Sequence, residues 1–311
     1  MEKIDVAIIG AGPAGLTAGI YLGRGRLDVV IFEKALSGGQ MAISDWIENF
    51  PGFGEGIGGL ELSQKMREQA VGCGAKLAEE EITGIGVKKG FILKTAEAKE
   101  YHALAVIIAT GAQPKKMGIP GEEKFAGRGV SYCATCDAPL FKDKSVVVVG
   151  GGDTAVQEAL FLSKYCRKVY LVHRRDRLRA AKILAERLAA RKNIEPVWSS
   201  AVTEITGEKK VAGVNIRGKG EGGRTFLPCD GVFVFAGIAP NSSVVKGIVK
   251  QNEDGYIITD DDMKASVDGI FACGDVRKKL LRQIVTACGE AATAAVSAQH
   301  YAEELKGEAY N

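Results

Sequence analysis

The stretch Gly10-Ala-Gly12-Pro-Ala-Gly15 decides the fold of this chain, because it stands between an apolar run and a helix-compatible segment. Residues 4–9 form the apolar run that a strand buried on both faces requires, and residues 29–32 form a second one. Glu33 stands at the end of that second run. In such a unit the glycines permit a tight turn, the helix N-terminus attracts a pyrophosphate and the acid accepts ribose hydroxyls. The stretch therefore predicts a dinucleotide-binding α/β unit.

The same pattern occurs a second time later in the chain. Residues 145–149 predict a strand, Gly150-Gly-Gly152-Asp153-Thr154-Ala155 the turn, residues 154–163 an amphipathic helix and residues 169–172 the next strand. A single hydrophobic core stops growing at about 250–300 residues, so a chain of 311 residues favours two domains. We expect an α/β fold with two Rossmann-like dinucleotide-binding domains.

The end of the second unit differs from the end of the first. No acid follows residues 169–172, and His173-Arg174-Arg175-Asp-Arg-Leu-Arg179 stands there instead. An acid would repel a 2′-phosphate, whereas arginines form charge-assisted, often bidentate bonds to one. The pattern predicts NADP(H) rather than NAD(H). A solvated basic patch or a weak nucleic-acid surface is the alternative, and His173 taken alone is also compatible with a structural role.

Three further segments indicate that the first site holds FAD. Thr110-Gly111-Ala112 follows a predicted buried strand and forms a sharp turn, and Ser37-Gly38-Gly39-Gln40 forms a loop just after Glu33. Gly274-Asp275 ends another predicted strand with an acid suited to bonding a ribitol hydroxyl. Each segment alone is also typical of an ordinary loop, and together they favour a flavin.

Cys133-Ala-Thr-Cys136-Asp137 lies between the two glycine turns. A thiolate attacks disulfides, and two cysteines three positions apart close a small ring that is readily reduced. A zinc site needs four suitably spaced ligands, but the chain has no second such pair and its three histidines, at positions 102, 173 and 300, are scattered. We therefore predict a redox-active disulfide and no metal. Asp137 is a candidate proton donor to a leaving thiolate, or alternatively the N-cap of a short following turn.

Composition excludes several other classes of protein. A formal net charge of +3, with 46% hydrophobic and 25% charged residues, gives no strong nucleic-acid or membrane footprint. No segment approaches the roughly 18–20 apolar residues that a membrane helix needs. Seven cysteines with only one close pair argue against a secreted disulfide framework and favour a reducing cytoplasm. The five cysteines outside the pair are expected to be structural, mostly through burial.

The order of these motifs resembles that of the low-molecular-weight thioredoxin reductases of bacterial and archaeal type, within the two-dinucleotide-binding-domain flavoprotein superfamily. The resemblance spans essentially the whole chain and also includes Glu48-Asn49-Phe50-Pro51-Gly52 and Arg282-Gln283. Three departures are visible. Leu178 stands where an aromatic residue is common, Gly289-Glu290-Ala291 replaces the usual Gly-Asp-Gly, and Cys273 replaces the usual alanine.

The resemblance implies an FAD domain formed by residues 1–114 and 246–311, with an NADPH domain of residues 115–245 that carries the cysteine pair inserted between them. It implies FAD contacts for the following residues: Gly10, Gly12, Pro13, Ala14, Gly15, Glu33, Lys34, Gly38, Gly39, Gln40, Asn49, Thr110, Gly111, Ala112, Gly274, Asp275, Arg282, Gln283 and Ile284. It implies NADPH contacts for Gly150, Gly152, Asp153, Thr154, His173, Arg174, Arg175 and Arg179.

The resemblance also implies how electrons leave the chain. Cys136 would face the flavin, Cys133 would attack the disulfide of thioredoxin or a thioredoxin-like protein, and Asp137 would act as the acid. It further implies a homodimer, with no nucleic-acid or membrane partner. The close alternatives are a related flavin dithiol/disulfide oxidoreductase with another protein partner, or one that uses ferredoxin or oxygen. A non-catalytic redox sensor that binds flavin is a more distant alternative.

Overall fold

The computed structural model describes residues 2–218 and 225–308. The chain forms two compact units, the first of Met1–Gln113 with Ala239–Asn311 and the second of Pro114–Ile238. The first unit is therefore discontinuous in sequence, and the second is inserted into it. Of the predicted domains, residue 1, residues 219–224 and residues 309–311 lie outside the described part of the chain.

The regular elements include two strand–helix–strand units, β1-α1-β2 and β9-α4-β10, which are typical of an α/β fold. The strands are β1 Glu2–Ile9, β2 Val29–Phe32, β3 Lys76–Ala78, β4 Ile82–Lys88, β5 Gly90–Thr95, β6 Glu100–Ile108, β7 Ala112–Pro114, β8 Val130–Ser131, β9 Ser145–Val149, β10 Lys168–Val172, β11 Ile194–Val197, β12 Ser200–Gly207, β13 Val211–Gly218, β14 Thr225–Pro228, β15 Gly231–Val234, β16 Ile238–Pro240 and β17 Ile270–Ala272. The α-helices are α1 Pro13–Arg24, α2 Gly59–Gly72, α3 Ala134–Asp137, α4 Asp153–Leu162, α5 Lys182–Ala189 and α6 Ile284–Lys306.

A seven-stranded sheet organises the first unit, in the order β3-β2-β1-β6-β5-β4 with β17 alongside β6. The strand β1 pairs in parallel with β2 and β6. The N-terminal part of β6 pairs with β5 in antiparallel fashion, and its C-terminal part pairs with β17 in parallel. The predicted strands at residues 4–9 and 29–32 fall in β1 and β2, at the centre of this sheet.

Both faces of the first sheet are covered, and β1 shows how its sequence achieves this. Val6 and Ile8 point into the core that α1, α2 and α6 form, whereas Ala7 and Ile9 point into the core on the opposite face. A strand buried on both faces needs such an uninterrupted apolar run. The buried residues of α6 are all alanines, namely Ala287, Ala291, Ala294, Ala295, Ala298 and Ala302. Their small side chains let α6 pack closely in this core, in which residues of α1 also lie.

The second unit contains a five-stranded parallel sheet in the order β11-β10-β9-β15-β8 and an antiparallel sheet β12-β13-β14. Val146 and Val148 of β9 face the core formed with α4 and α5, and Val147 faces the core shared with the antiparallel sheet. The strand–turn–helix–strand pattern predicted at residues 145–172 is present as β9, α4 and β10. Two Rossmann-like units in one α/β chain are therefore confirmed.

The second crossing between the units lies earlier than the sequence indicated. We placed the return to the first domain at residue 246, whereas residues 239–245 belong to the first unit. Asn241 bonds to the backbone of Thr110, and Val245 is buried in the core that also holds Val30. These contacts join residues more than a hundred positions apart, so no local sequence pattern indicates them.

Gly15 is the position at which α1 approaches the first glycine turn most closely. A Cβ atom at this residue would overlap the carbonyl oxygen of Gly10, which is backbone and cannot move aside. We predict that Gly15→Ala lowers stability by about 3 kcal/mol, which corresponds to about 6–12 °C in the unfolding midpoint. Calorimetric unfolding measures this change. The control is Gly72→Ala at the end of α2, where a Cβ meets nothing within 4 Å. An equal loss in both variants would contradict the prediction.

Candidate functional site

The first glycine turn combines two glycines that packing requires with one that faces open space. Gly10 has φ +104°, and a Cβ there would lie 2.5 Å from the carbonyl oxygen of Ala109. A Cβ on Gly12 would meet nothing within 4 Å, although Gly12 stands directly before α1. A Cβ on Gly39 would lie 3.6 Å from the Gly12 Cα, so these two backbones face each other across a narrow gap. The gap has the form of a cradle for a group that must approach the backbone.

Glu33 closes one side of this cradle through its backbone contacts. Its Oε2 accepts a hydrogen bond from the Ala11 N–H at 2.9 Å and its Oε1 accepts one from the Ala35 N–H at 3.1 Å. The Gly38 N–H donates to the Ala11 carbonyl oxygen at 2.7 Å. The Ala11 peptide is thus held on both sides, by the predicted acid and by the predicted glycine loop.

The glycine loop after β2 has its own support. Ser63 of α2, which is buried, donates from Oγ to the Ser37 carbonyl oxygen at 2.8 Å. Gln40 lies in a short 3₁₀ turn and is exposed, as is Lys34, whose Nζ pairs with Glu81 at 2.9 Å. The sequence did not identify Ser63, because nothing within α2 distinguishes it from an ordinary polar helix residue.

The turn after β6 is held by a residue that the sequence assigned to the other domain. Thr110 donates from Oγ1 to the Asn241 carbonyl oxygen at 2.6 Å, and the Asn241 side-chain amide donates to the Thr110 carbonyl oxygen at 3.0 Å. The Asn241 N–H donates to Gly111 at 2.9 Å. Ala112 begins β7. Asn241 is therefore a supporting residue that sequence reasoning missed.

Gly274 and Asp275 reach the same turn from the C-terminal part of the chain. A Cβ on Gly274 would lie 3.0 Å from the Ala14 Cβ, so this residue packs directly against the start of α1. Asp275 follows it, and its buried Oδ1 has no hydrogen-bond partner among the described residues. Burial raises the pKa of Asp275 above its ordinary value, and Lys279 and Arg282 oppose that rise. The Lys279 Nζ lies 3.8 Å from this oxygen, in a long ion pair that leaves Oδ1 able to accept a hydrogen bond.

A buried ion network behind Gly274 is the second feature that the sequence missed. Glu290 of α6 accepts the Gly274 N–H at 2.9 Å, pairs with Arg277 at 2.9 Å and pairs with Lys279 at 3.1 Å. The Lys279 side chain is 5% exposed and those of Arg277 and Glu290 are 14% exposed. The only sign of this network in the sequence is that Gly289-Glu290-Ala291 replaces the usual Gly-Asp-Gly.

The start of α6 brings together the remaining residues predicted for the first site. Gln283 is the N-cap of α6 and forms a capping box with Thr286, and Ile284 is the first residue of the helix. Asn49 donates from its side-chain amide to the Gln283 Oε1 at 3.0 Å. Arg282 lies over the ring of Tyr256, 4.2 Å from its centroid. This cation–π contact holds the guanidinium beside the helix start.

The second glycine turn is tied to the arginine-rich loop that follows β10. Gly150 has φ +150°, and the Arg179 N–H donates to the Gly151 carbonyl oxygen at 2.7 Å. Asp153, in the first turn of α4, accepts the Ala181 N–H at 2.8 Å. One backbone–backbone hydrogen bond and one bond to a side-chain carboxylate therefore hold the loop against the turn. A Cβ on Gly152 would meet only the Arg179 guanidinium, at 3.7 Å, so Gly152 keeps an open face.

His173 fills the space beside this turn, whereas the arginines are outside. A Cβ on Gly151 would lie 2.5 Å from the His173 ring, and the imidazole is 6% exposed. Its Nε2 has no hydrogen-bond partner among the described residues. Arg174, Arg175 and Arg179 are exposed, as is Thr154 at the start of α4. The turn thus presents one buried imidazole and three solvent-facing guanidinium groups.

The predicted cysteine pair forms a disulfide, Cys133–Cys136, the only one among the described residues. Cys133 is the N-cap of α3 and is half-buried, and Cys136 is exposed. Buried Ser131 accepts the Cys133 N–H and donates to the Cys133 carbonyl oxygen, both at 3.1 Å. Asp137 occupies the N-cap position of the 3₁₀ turn at residues 138–141, as the alternative predicted, but its side chain forms no capping hydrogen bond there.

The five cysteines outside this pair are free thiols. Burial raises the pKa of Cys166 to about 11 and that of Cys229 and Cys273 to about 12. Because the thiolate is the reactive form, these buried thiols are inert at neutral pH. Cys288 is half-buried and burial raises its pKa as well. The structural interpretation of these cysteines agrees with their surroundings.

The described residues contain no helix long and apolar enough to cross a membrane. They also contain no cluster of three or more histidine, cysteine, aspartate or glutamate side chains that could hold a metal ion.

The surroundings of His173 generate a titration prediction. Burial, followed by Arg179, Arg175 and Arg174, lowers the pKa of His173 below its ordinary value of 6.5. In a proton NMR titration we expect one of the three imidazole signals to titrate below 6.5 and to be missing from His173→Gln. Because the unfolded state then binds more protons than the folded state, stability falls as the pH decreases below about 6.5. The fall should be smaller in His173→Gln, and equal pH dependence in both proteins would contradict the prediction.

Comparison with known proteins agrees with this geometry. Residues 4–291 match the family model described as pyridine nucleotide-disulphide oxidoreductase. The chain is 48% identical to thioredoxin reductase of Bacillus subtilis over 307 residues (98% of this chain and 97% of that protein), and 47% identical to that of Listeria monocytogenes (98% and 96%). The solved structure of Lactococcus lactis thioredoxin reductase matches with a TM-score of 0.94 at 42% identity, covering 97% of this chain and 99% of that one. The chain belongs to the pyridine nucleotide-disulphide oxidoreductase family.

Proposed function

We propose that this protein is an NADPH-dependent flavoprotein that reduces the disulfide of thioredoxin, or of a thioredoxin-like protein, through FAD and the Cys133–Cys136 pair. The observation that carries the proposal is a disulfide on a four-residue helix in the same unit as an arginine-flanked glycine turn. The relatives that match almost the whole chain are thioredoxin reductases, which supports the same reaction here.

FAD is assigned to the first unit because its residues fit the parts of that molecule. The open face of Gly12 leaves room for a pyrophosphate at the start of α1, where the helix N-terminus favours negative charge. Glu33 would accept ribose hydroxyls with the lone pairs that its backbone donors leave free. The buried Oδ1 of Asp275, which has no hydrogen-bond partner among the described residues and lies 3.8 Å from the Lys279 Nζ, would accept a ribitol hydroxyl. Asn49 and Gln283 would flank the flavin.

NADPH is assigned to the second unit. Gly152 offers an open face at the start of α4, and Arg174, Arg175 and Arg179 are available to a 2′-phosphate beyond the end of β10. The Asp153 carboxylate accepts a hydrogen bond from the Ala181 N–H. We therefore propose that Asp153 holds the arginine loop in addition to contacting the nucleotide. The domain assignment is thus FAD to the first unit, and NADPH with the cysteine pair to the second.

When bound, NADPH would supply two electrons as a hydride, and FAD would relay them to the disulfide. The remaining chemistry belongs to the chain. The Cys133 thiolate attacks one sulfur of the partner's disulfide and forms a mixed disulfide, and Asp137 gives a proton to the sulfur that leaves. The Cys136 thiolate then attacks Cys133, which releases the partner as a dithiol and restores the Cys133–Cys136 disulfide. We further propose a homodimer that works in the cytoplasm, where such thiols stay reduced.

Stopped-flow absorbance under anaerobic conditions tests the proposal. On mixing with NADPH, the yellow colour should bleach in both the wild type and Cys136→Ser, and a thioredoxin disulfide should restore it only in the wild type. The physical reason is that a chain without Cys136 has no Cys133–Cys136 disulfide to accept the two electrons and pass them on by thiol–disulfide exchange. Cys73→Ser, which alters a free thiol in the first unit, serves as the control and should behave as the wild type.

Each contrary outcome of this experiment identifies a different alternative. Thioredoxin reduction by Cys136→Ser would overturn the role of the cysteine pair. Bleaching that thioredoxin does not reverse would indicate another disulfide partner or oxygen as the acceptor. A wild type that neither NADPH nor NADH bleaches would indicate ferredoxin as the electron donor.

Charge reversal of Arg174 and Arg175 tests the nucleotide assignment. Charge-assisted hydrogen bonds contribute about 1.5–3 kcal/mol each, so Arg174→Glu with Arg175→Glu should raise the KM for NADPH at least tenfold. The KM for NADH should change by no more than about twofold, because NADH lacks the 2′-phosphate. Steady-state rates with an artificial disulfide acceptor measure both constants. Lys209→Glu, in the exposed turn between β12 and β13, is the matched control. Equal changes in KM for NADPH and NADH would contradict the assignment of Arg174 and Arg175 to the 2′-phosphate.

A further inference from the structure

A carboxylate from the neighbouring helix contacts the backbone of the cysteine turn. Glu158 of α4 accepts a hydrogen bond from the Ala134 N–H on Oε2 at 3.1 Å. Ala134 is the first residue of α3 and directly follows Cys133. Glu158 did not emerge from the sequence, because it lies 24 positions away on a helix that seemed to serve only the nucleotide.

Packing fixes the position of this carboxylate. Ala134 is fully buried and lies in one core with Ala155 and Ala159 of α4. Small side chains on both helices let the two backbones approach, and Glu158 is half-buried beside that contact. A partly buried charge is screened by solvent less than an exposed one, so its effect on neighbouring groups is larger.

The Glu158 carboxylate bonds to the peptide group that joins Ala134 to Cys133, the cysteine that would act as nucleophile. The Ala134 nitrogen is bonded to the Cys133 carbonyl carbon, so the carboxylate is one residue away from Cys133. The Cys136 N–H donates to the Cys133 Sγ at 3.2 Å, and such a donor favours a thiolate. A negative charge from Glu158 acts in the opposite direction, because like charges disfavour ionisation of the thiol.

Charged groups near the cysteine turn lie on α3 and α4, and α5, which shares a core with α4, carries Lys182, Glu186 and Arg187. Asp137 belongs to α3 itself, and α4 contributes Asp153, which accepts the Ala181 N–H, in addition to Glu158. The turn at residues 138–141 and strand β8 carry no ionisable side chain. The Tyr132 hydroxyl donates to Glu122 at 2.8 Å. Glu158 therefore contributes a carboxylate from α4 that accepts a hydrogen bond from the backbone of α3.

We propose that Glu158 is a positioning residue whose charge restrains thiolate formation at Cys133 and so keeps the reduced pair a strong electron donor. This inference rests on the proposed reductase function of the same pair. Reduction of the disulfide takes two electrons and two protons and gives two thiols, one of which ionises to attack the partner. Any charge that stabilises the thiolate stabilises the reduced form and makes the pair a weaker reductant. A nearby carboxylate does the reverse.

Alkylation of the reduced protein as a function of pH tests this inference without thioredoxin or NADPH. The flavin-containing protein is reduced with dithiothreitol, freed of it under anaerobic conditions and treated with iodoacetamide, which adds a carbamidomethyl group to a thiolate and releases iodide. Mass spectrometry of the peptides gives separate rates for Cys133 and Cys136. The variants are Glu158→Gln, which keeps a hydrogen-bond acceptor without charge, and Glu158→Asp, which keeps the charge. Glu186→Gln on α5, an exposed residue of the same unit, is the control.

In Glu158→Gln we expect the midpoint of the Cys133 profile to fall by about one pH unit. The Cys133 rate at pH 7 should rise about threefold, because a tenfold gain in thiolate is partly offset by lower nucleophilicity. Glu158→Asp and Glu186→Gln should keep the wild-type profile.

An unchanged profile in Glu158→Gln, or the same shift in Glu186→Gln, would overturn the inference. Failure of the wild type to reduce thioredoxin would count against the proposed function, and the alkylation profiles would still be readable.

Discussion

The close approach of backbone to backbone at the first glycine turn is the constraint on which the first unit depends. Gly15 packs against the Gly10 carbonyl and Gly10 against Ala109, so α1 begins directly at the end of β1. That contact brings the open face of Gly12 to the edge of the parallel sheet, where strand ends and helix starts meet. Gly39 and Gly274 approach the same turn from distant parts of the chain, so closely that a Cβ on either would contact Gly12 or Ala14. A side chain at the packed positions would separate the helix from the sheet and disperse these groups.

The second unit uses the same backbone geometry with different electrostatics. In the first unit a carboxylate, Glu33, accepts from the turn, and in the second the His173 ring lies against Gly151. Burial and the neighbouring arginines lower the pKa of His173, which disfavours a further positive charge beside them. The ties from Arg179 to Gly151 and from Ala181 to Asp153 set the path of the arginine loop. The proposed specificity for NADPH would thus depend on a loop that the turn itself holds in place.

Much of the fold could be predicted from the sequence because its signals are local. Apolar runs predicted β1, β2, β9 and β10, and glycine spacing predicted both turns. The groups that support the site could not be predicted in this way. Asn241 and Glu290 act on residues 131 and 16 positions away, respectively, and each is a single polar residue without a motif. The boundary at residue 246 was misplaced for the same reason, since the contacts of Asn241 are visible only in three dimensions.

In the cysteine turn, several of the hydrogen bonds that hold the backbone and its neighbours in place do not involve the reacting sulfur atoms. Ser131 bonds to the Cys133 backbone, Glu122 bonds to the Tyr132 hydroxyl and Glu158 bonds to the Ala134 N–H. None of these bonds involves a sulfur atom, so none has to break when the disulfide opens. A nucleophile needs some thiolate at neutral pH, but a thiolate that is too stable makes the disulfide an oxidant rather than a source of a reducing dithiol. An amide donor on the Cys133 sulfur and a carboxylate one residue away place opposite demands on the same thiol, and their balance suits a pair that must give its electrons away.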